Sequence, residues 1–130
     1  MQNKESQLAL KVGLYLQTQY RDVEFRFDTG ADMKLTIGQA RRAKALHGRK
    51  NKGYPDLFIA EPKNGYHGLY IELKAVNIFK QNGELKKSEH LDIQSKRLES
   101  LRANGYYAEF SIGFDETKIL IDNYMMGRIK

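Results

Sequence analysis

The period of hydrophobic and polar positions changes several times along the chain, and these changes predict a mixed α/β protein. Apolar side chains recur at spacings of three and four over residues 4–20, which is typical of an amphipathic helix. Residues 23–27 alternate apolar and polar as a half-buried strand does, and a second helix is predicted over 37–46. Short apolar runs at 57–60 and 69–73, bounded by Gly, Pro and Asn, predict two buried strands.

The C-terminal half predicts three further elements. Ser88 is a suitable N-cap for a helix that extends to about residue 104, and Gly105 is a suitable helix stop. Residues 106–112 have the composition of a strand, and residues 115–125 that of a closing helix. We therefore expect an α/β fold with a mixed sheet of about four strands and helices on both faces.

Three ionisable residues interrupt the apolar hairpin of the two central strands: Asp56, Glu72 and Lys74. Because side chains alternate faces along a strand, Glu72 and Lys74 share a face, roughly 6–7 Å apart. Leu73 points the other way, but its carbonyl lies between them. If Asp56 lies beside Glu72 across the hairpin, two carboxylates, a carbonyl and an ammonium converge. Carboxylate and carbonyl oxygens are hard ligands suited to Mg²⁺ or Mn²⁺.

The alternative is an ordinary hairpin with charges on its surface, which is the usual explanation for any one of these residues. Two features favour a functional site instead. Glu72 and Lys74 on one face of an apolar strand would be costly to bury unless they are paired. Gly53 and Pro55 also constrain the backbone just before Asp56. The pattern therefore favours a metal-binding site in this hairpin.

Length and composition indicate the class of protein and of partner. A chain of 130 residues is expected to form a single domain over its whole length. It has no cysteine, no apolar run that approaches a membrane span and no signal-peptide pattern, which predicts a soluble, intracellular protein in the cytoplasm. The net charge of +6, from 22 Lys and Arg against 16 Asp and Glu, favours a polyanionic partner.

A basic run over residues 41–52 ends just before the proposed site. Such a run is usually a solvated face, but its position here favours contacts with phosphate groups. Because the run contains no aromatic residue, base stacking by this segment is not expected, and affinity for DNA should fall steeply with salt. The candidate DNA-binding residues are Arg41, Arg42, Lys44, Arg49, Lys50 and Lys52.

Several motifs together resemble a known nuclease family. Gly-Tyr-Pro-Asp-Leu at 53–57, Ile-Glu-Leu-Lys at 71–74, then Gln94 and Gly105-Tyr106 resemble the virus-type replication-repair nuclease (VRR-NUC) domain of the PD-(D/E)XK nuclease superfamily. The resemblance extends over about residues 4–125. It implies a restriction-endonuclease-like αβββαβ core and a stand-alone phage or prophage protein, in a bacterial host.

The resemblance assigns roles to the site residues. It implies that Asp56, Glu72 and the carbonyl of Leu73 bind Mg²⁺ or Mn²⁺, and that Lys74 orients the attacking water. It adds Gln94, which would position Lys74 or the scissile phosphate. A glutamine in the apolar stripe of a helix needs a partner, and the alternative is a hydrogen bond to backbone at the edge of the core.

The resemblance also adds Glu5 as a further or water-mediated metal ligand. A departure from related nucleases concerns exonuclease-like activity. Glu5 extends the apolar stripe of the first helix, although a first-turn glutamate is also favoured by the helix dipole. Related nucleases often carry a tyrosine four residues after the helix glutamine, where this chain has Leu98. That difference argues against an exonuclease-like activity.

The implied function is a metal-dependent endonuclease that hydrolyses phosphodiester bonds in DNA. Small stand-alone members of the family resemble Holliday-junction resolvases, which act on branched DNA as homodimers. Two symmetric nicks in a four-way junction require two related active sites, which a two-fold dimer provides. The alternatives are a nuclease for flaps, nicks or general duplex DNA, and a non-catalytic DNA-binding module.

Overall fold

A computed structural model of the protein describes residues 4–28, 36–47 and 52–129. None of the helices in these ranges is long and apolar enough to cross a membrane. The elements follow the order predicted from the sequence, which confirms the α/β class. They are α1 (Lys4–Gln19), β1 (Phe25–Phe27), α2 (Ile37–His47), β2 (Leu57–Ile59), β3 (Leu69–Lys74), α3 (Glu89–Ala103), β4 (Tyr107–Ile112) and α4 (Gly113–Met125).

The four strands form one mixed sheet in the order β1-β2-β3-β4. The β1–β2 and β2–β3 pairs are antiparallel, and β3–β4 is parallel, with α3 as the crossover. All six residues of β3 are buried, because this strand has a neighbour on each side and helices on both faces.

Helices α1 and α4 cover one face of the sheet and form the main core with it. In α1, the buried residues recur at the helical spacing that the sequence shows, so the stripe faces the sheet. Alternate residues of β2 and β3 point into the same core. Its buried members are Leu8, Val12, Leu16, Leu57, Ile59, Leu69, Ile71, Leu73, Ile121 and Tyr124.

Helix α3 covers the opposite face, against Tyr70 and Ala108. It begins where the sequence predicts, because the Ser88 hydroxyl accepts a hydrogen bond from the backbone N–H of Leu91 at 3.2 Å. It ends before Gly105, whose φ of +96° is unfavourable for residues with a side chain. Since β3 alternates, its even-numbered residues face α3, and its odd-numbered residues face α1 and α4.

Helix α2 is stabilised at its start by two reciprocal hydrogen bonds. The N–H of Gln39 donates to the Thr36 hydroxyl at 3.1 Å, and the N–H of Thr36 donates to the Gln39 side chain at 3.0 Å. None of its residues is buried. The helix is therefore an exposed element that carries its charges into solvent.

Candidate active site

The two carboxylates of the central hairpin lie side by side on the α3 face of the sheet. The register pairs Leu57 with Ile71, so the next step along both strands brings Asp56 opposite Glu72. The backbone N–H of Leu73 donates to Oδ2 of Asp56 at 2.8 Å, which fixes the orientation of this carboxylate. The two carboxyl groups are close enough to share a hydrogen bond.

The segment that leads into the first carboxylate is held tightly against α3. Gly53 has φ of +69°, and a Cβ there would lie 2.8 Å from Cγ2 and 3.0 Å from the carbonyl oxygen of Ile93. Nε and Nη2 of Arg97 donate to the Lys52 carbonyl at 3.2 and 3.1 Å. Pro55 is fully buried. Only glycine fits this approach, so the backbone before Asp56 has little freedom.

Gln94 of α3 lies directly over the second carboxylate. Its Nε2 donates to Oε1 of Glu72 at 3.0 Å, and both side chains are buried. Oε1 of Gln94 is buried as well and has no hydrogen-bond partner among the described residues. A buried amide oxygen without a partner is costly, so it marks a position where a water molecule or a ligand would be favoured.

The electrostatic environment of Glu72 is unusual for a carboxylate. Burial at 3% exposure raises its pKa well above the ordinary range for a carboxyl group, and the hydrogen bond and negative charge of Asp56 raise it further. The ammonium of Lys74 lowers this pKa, and the charge of Glu5 raises it. A cation between the two carboxylates would remove their repulsion and favour the ionised form of both.

Lys74 and the backbone of Leu73 complete this part of the sheet. Lys74 is buried and lies two residues from Glu72 on the same face of β3. In a strand, the N–H and C=O of one residue point to the same side. The carbonyl of Leu73 therefore points, with its N–H, toward Asp56, the residue just before β2 begins.

These groups fit a hard divalent cation that is only partly coordinated by protein. Glu5 lies in the first turn of α1 and is exposed. Within the described ranges, no group of three or more His, Cys, Asp or Glu side chains is placed to hold a metal ion. Protein ligation would therefore depend on Asp56, Glu72 and the carbonyl of Leu73. This set suits Mg²⁺, which commonly binds one or two carboxylates and completes its shell with water and substrate phosphate.

The basic run is only partly described by the structure. Its first three cations lie on the exposed helix α2, and Lys52 is exposed next to Gly53. Arg49 and Lys50 lie outside the described residues. The three cations on α2 are Arg41, Arg42 and Lys44.

A concave pocket of about 410 Å³ is lined in part by Pro55, the residue before Asp56, and the sequence pattern does not predict it. It is bordered by the start of β2, the end of α2, and β1. Phe58 and Tyr70 in its wall belong to apolar runs, so they resemble core residues when only the sequence is considered. A usable signal was the alternation that places Tyr70 on the same face as Glu72. Lining residues include Arg26, His47, Tyr54, Pro55, Phe58 and Tyr70.

The fold is similar to that of a solved structure described as "VRR_NUC domain protein". The two chains share 25% sequence identity and superpose with a TM-score of 0.69, over 98% of this chain and 92% of the other. No family model matches the sequence, and no curated protein matches it. The likeness thus covers nearly the whole of both chains and includes all of the elements around the carboxylate pair.

Proposed function

Because this chain has the fold of a VRR-NUC domain, we propose that it is a metal-dependent endonuclease that hydrolyses phosphodiester bonds in DNA. The observation that carries the proposal is the contact between Asp56 and the buried Glu72, with Lys74 on the same face. Two adjacent carboxylates at a buried position are unfavourable unless a cation binds them. Such a pair is therefore better explained by function than by stability.

Asp56, Glu72 and the carbonyl of Leu73 would hold Mg²⁺ or Mn²⁺, with Glu5 as an outer ligand through water. When bound, the cation would stabilise the negative charge that develops on the phosphate during hydrolysis. The N–H of Leu73 keeps the Asp56 carboxylate in place for this role.

Lys74 and Gln94 have different roles in this proposal. Lys74 contacts the reacting groups, and Gln94 contacts the metal ligand Glu72. Lys74 donates hydrogen bonds to the attacking water or to a phosphate oxygen, since an ammonium group is a donor only. Gln94 holds Glu72 in position through Nε2, and its unpartnered Oε1 accepts a hydrogen bond from water at the site. The basic residues of α2, with Arg49, Lys50 and Lys52, contact phosphates on either side of the cut.

The proposed substrate is branched DNA, with a four-way junction preferred, and the proposed active species is a homodimer. The Asp56–Glu72 pair would provide one active site in each copy of the chain. Two symmetric nicks at one junction then require a second copy, which a two-fold dimer supplies. Flaps and nicked duplexes are the alternative substrates for the same chemistry.

Cleavage of a panel of synthetic DNAs tests this proposal. Four-way junction, flap, nicked and linear duplexes of the same sequence are incubated with Mg²⁺ or Mn²⁺, and elution on a sizing column gives the oligomeric state. Paired symmetric nicks on the junction by a dimer are the expected result. Equal cutting of flaps or linear duplex by a monomer would contradict the junction proposal, and binding without any cutting would contradict the nuclease proposal.

A further inference from the structure

The pocket beside Asp56 and the carboxylate pair occupy neighbouring rows on one face of the sheet. Arg26 lies opposite Phe58, and Phe58 lies opposite Tyr70, so these three residues form one row across β1, β2 and β3. The adjacent row contains Asp56 and Glu72. The rows are two residues apart along each strand, or roughly 7 Å. A ligand in the pocket would therefore lie next to the phosphate that is cut.

Aromatic rings that contact one another form the wall of the pocket. The rings of Phe58 and Tyr70 stack with centroids 4.4 Å apart, and the Tyr54 ring meets Tyr70 edge-on at 5.5 Å. The hydroxyls of Tyr54 and Tyr70 lie 2.7 Å apart and share a hydrogen bond. These contacts fix the position of the Tyr54 ring, which is nevertheless 40% exposed. The pocket thus presents an ordered aromatic surface to solvent.

The polar groups of the pocket suit a neutral ligand better than an anion. Arg26 and Asp28 both line it, so it contains charges of both signs, and the carboxylate would repel a phosphate. His47 and the tyrosine hydroxyls add further donors and acceptors. A nucleobase combines a flat aromatic face with an edge of donors and acceptors, and side chains of these types bind unstacked bases. A volume of about 410 Å³ falls within the usual range for small-ligand pockets.

We propose that this pocket binds one unpaired base of the DNA substrate. Since nucleotides are spaced by about 3.4 Å along a strand, the base would belong to a nucleotide about two positions from the scissile phosphate. This inference rests on the proposed nuclease function and refines its substrate class. The enzyme would select DNA in which a base about two positions from the cut is already unstacked, because extruding a paired base is unfavourable.

Binding measurements without metal test the pocket separately from cleavage. Fluorescence anisotropy in EDTA compares a duplex that carries one unpaired nucleotide with the same duplex in which that nucleotide is abasic. The wild-type protein should bind the base-containing DNA roughly tenfold more tightly. Tyr54→Ala should remove this preference, and Tyr54→Phe should keep most of it, because the ring and not the hydroxyl provides the stacking surface.

The control variant is Ile119→Ala, which removes a 59% exposed side chain from α4 on the other side of the sheet. It should behave as wild type. A second measurement places the fluorescent base 2-aminopurine at the unpaired position, where stacking quenches its emission. Quenching by wild type and by Ile119→Ala, but not by Tyr54→Ala, is expected. Equal affinity of wild type for the base-containing and abasic DNAs, with no quenching, would overturn the proposal.

Cleavage of the same DNAs with Mg²⁺ or Mn²⁺ separates failure of this inference from failure of the proposed function. A base preference in EDTA with no cleavage of any DNA would support the pocket and contradict the nuclease assignment. Cleavage of these DNAs, together with equal affinities for the base-containing and abasic DNAs in EDTA, would leave the nuclease assignment in place and contradict the base pocket.

Discussion

Glu72 is the residue at which stability and the proposed function conflict most directly. It is buried, it lies against a second carboxylate, and its pKa is raised by both effects. Folding the metal-free chain therefore brings together groups that would be more stable apart. The conflict is relieved by a proton or by a cation, and the proposed function requires the cation.

Glu72→Gln should stabilise the metal-free protein while it abolishes cleavage. A glutamine can accept from Gln94 and donate to Asp56, so the hydrogen bonds are kept and the repulsion is removed. We expect the melting temperature to rise by about 4 °C, which corresponds to roughly 1 kcal/mol. Mg²⁺ should raise the melting temperature of wild type and not that of the variant.

The pH dependence of stability gives a second test of this residue. The pKa of Glu72 is higher in the folded chain than in the unfolded one, so the folded state binds more protons between these two values. Stability of the metal-free wild type should then fall as pH rises through this window, and Glu72→Gln should lack that slope. A variant that melts lower than wild type, with the same pH slope, would contradict this account.

Gln94 can be tested apart from the ligands, because it acts through Glu72. Gln94→Leu should lower the rate of cleavage about 10- to 100-fold, the usual effect of removing a group that orients a metal ligand. DNA affinity in EDTA should stay at the wild-type value. Gln17→Leu, at an exposed position of α1, is the matched control. Equal cleavage rates for Gln94→Leu and wild type would remove Gln94 from the site.

At the scale of elements, the contact between the Gly53 segment and α3 positions the first carboxylate. Gly53→Ala would force a Cβ into α3 at a backbone angle that disfavours side chains. Gly65→Ala is the control, since Gly65 also has a positive φ but has open space around it. We expect Gly65→Ala to cost about 1–2 kcal/mol of stability.

Gly53→Ala should cost a further ~1–3 kcal/mol from overpacking, and it should also slow cleavage because Asp56 is displaced. Chemical denaturation and cleavage rates of the two variants measure both effects. Equal loss of stability in the two variants, with no change in cleavage, would show that the close approach to α3 does not position Asp56.

The order and type of the elements could be predicted, because periodicity and capping are local signals. Ser88 and Gly105 mark the ends of α3, and the apolar runs mark β2 and β3. The contacts that form the wall of the pocket are less accessible to such reasoning. The ring contacts among Tyr54, Phe58 and Tyr70 depend on packing across two strands and a loop. Strand alternation places Tyr70 on the face of Glu72, but the sequence does not show that the three rings meet.

The same limit applies to the first helix. Its spacing correctly predicts the stripe that faces the core, and it places Glu5 in line with that stripe. Whether the side chain of Glu5 reaches the site depends on where the first turn of α1 lies relative to the sheet, which is a property of tertiary packing. In the structure Glu5 is exposed, and its charge still affects Glu72.

At the scale of the whole molecule, the net charge of +6 predicts that the affinity for DNA falls as the salt concentration rises. Replacing the three cations of α2 by alanine should flatten the plot of log affinity against log salt by about 0.9 for each phosphate that the variant no longer neutralises. The charge-matched control replaces three cations outside the run. If both triple variants change the slope equally, α2 has no special role. The control residues are Lys11, Lys63 and Lys118.

Cleavage by wild type and by Asp56→Asn, each with and without Mg²⁺ or Mn²⁺, tests the central claim most directly. DNA binding of both proteins in EDTA serves as the control for folding. We predict that wild type cuts DNA only with metal, and that Asp56→Asn binds DNA normally but cuts it on the order of 10²–10³-fold more slowly, a loss comparable to that of one transition-state charge stabiliser. Undiminished cutting by Asp56→Asn, or metal-independent cutting by wild type, would show that the Asp56–Glu72 face is not the active site.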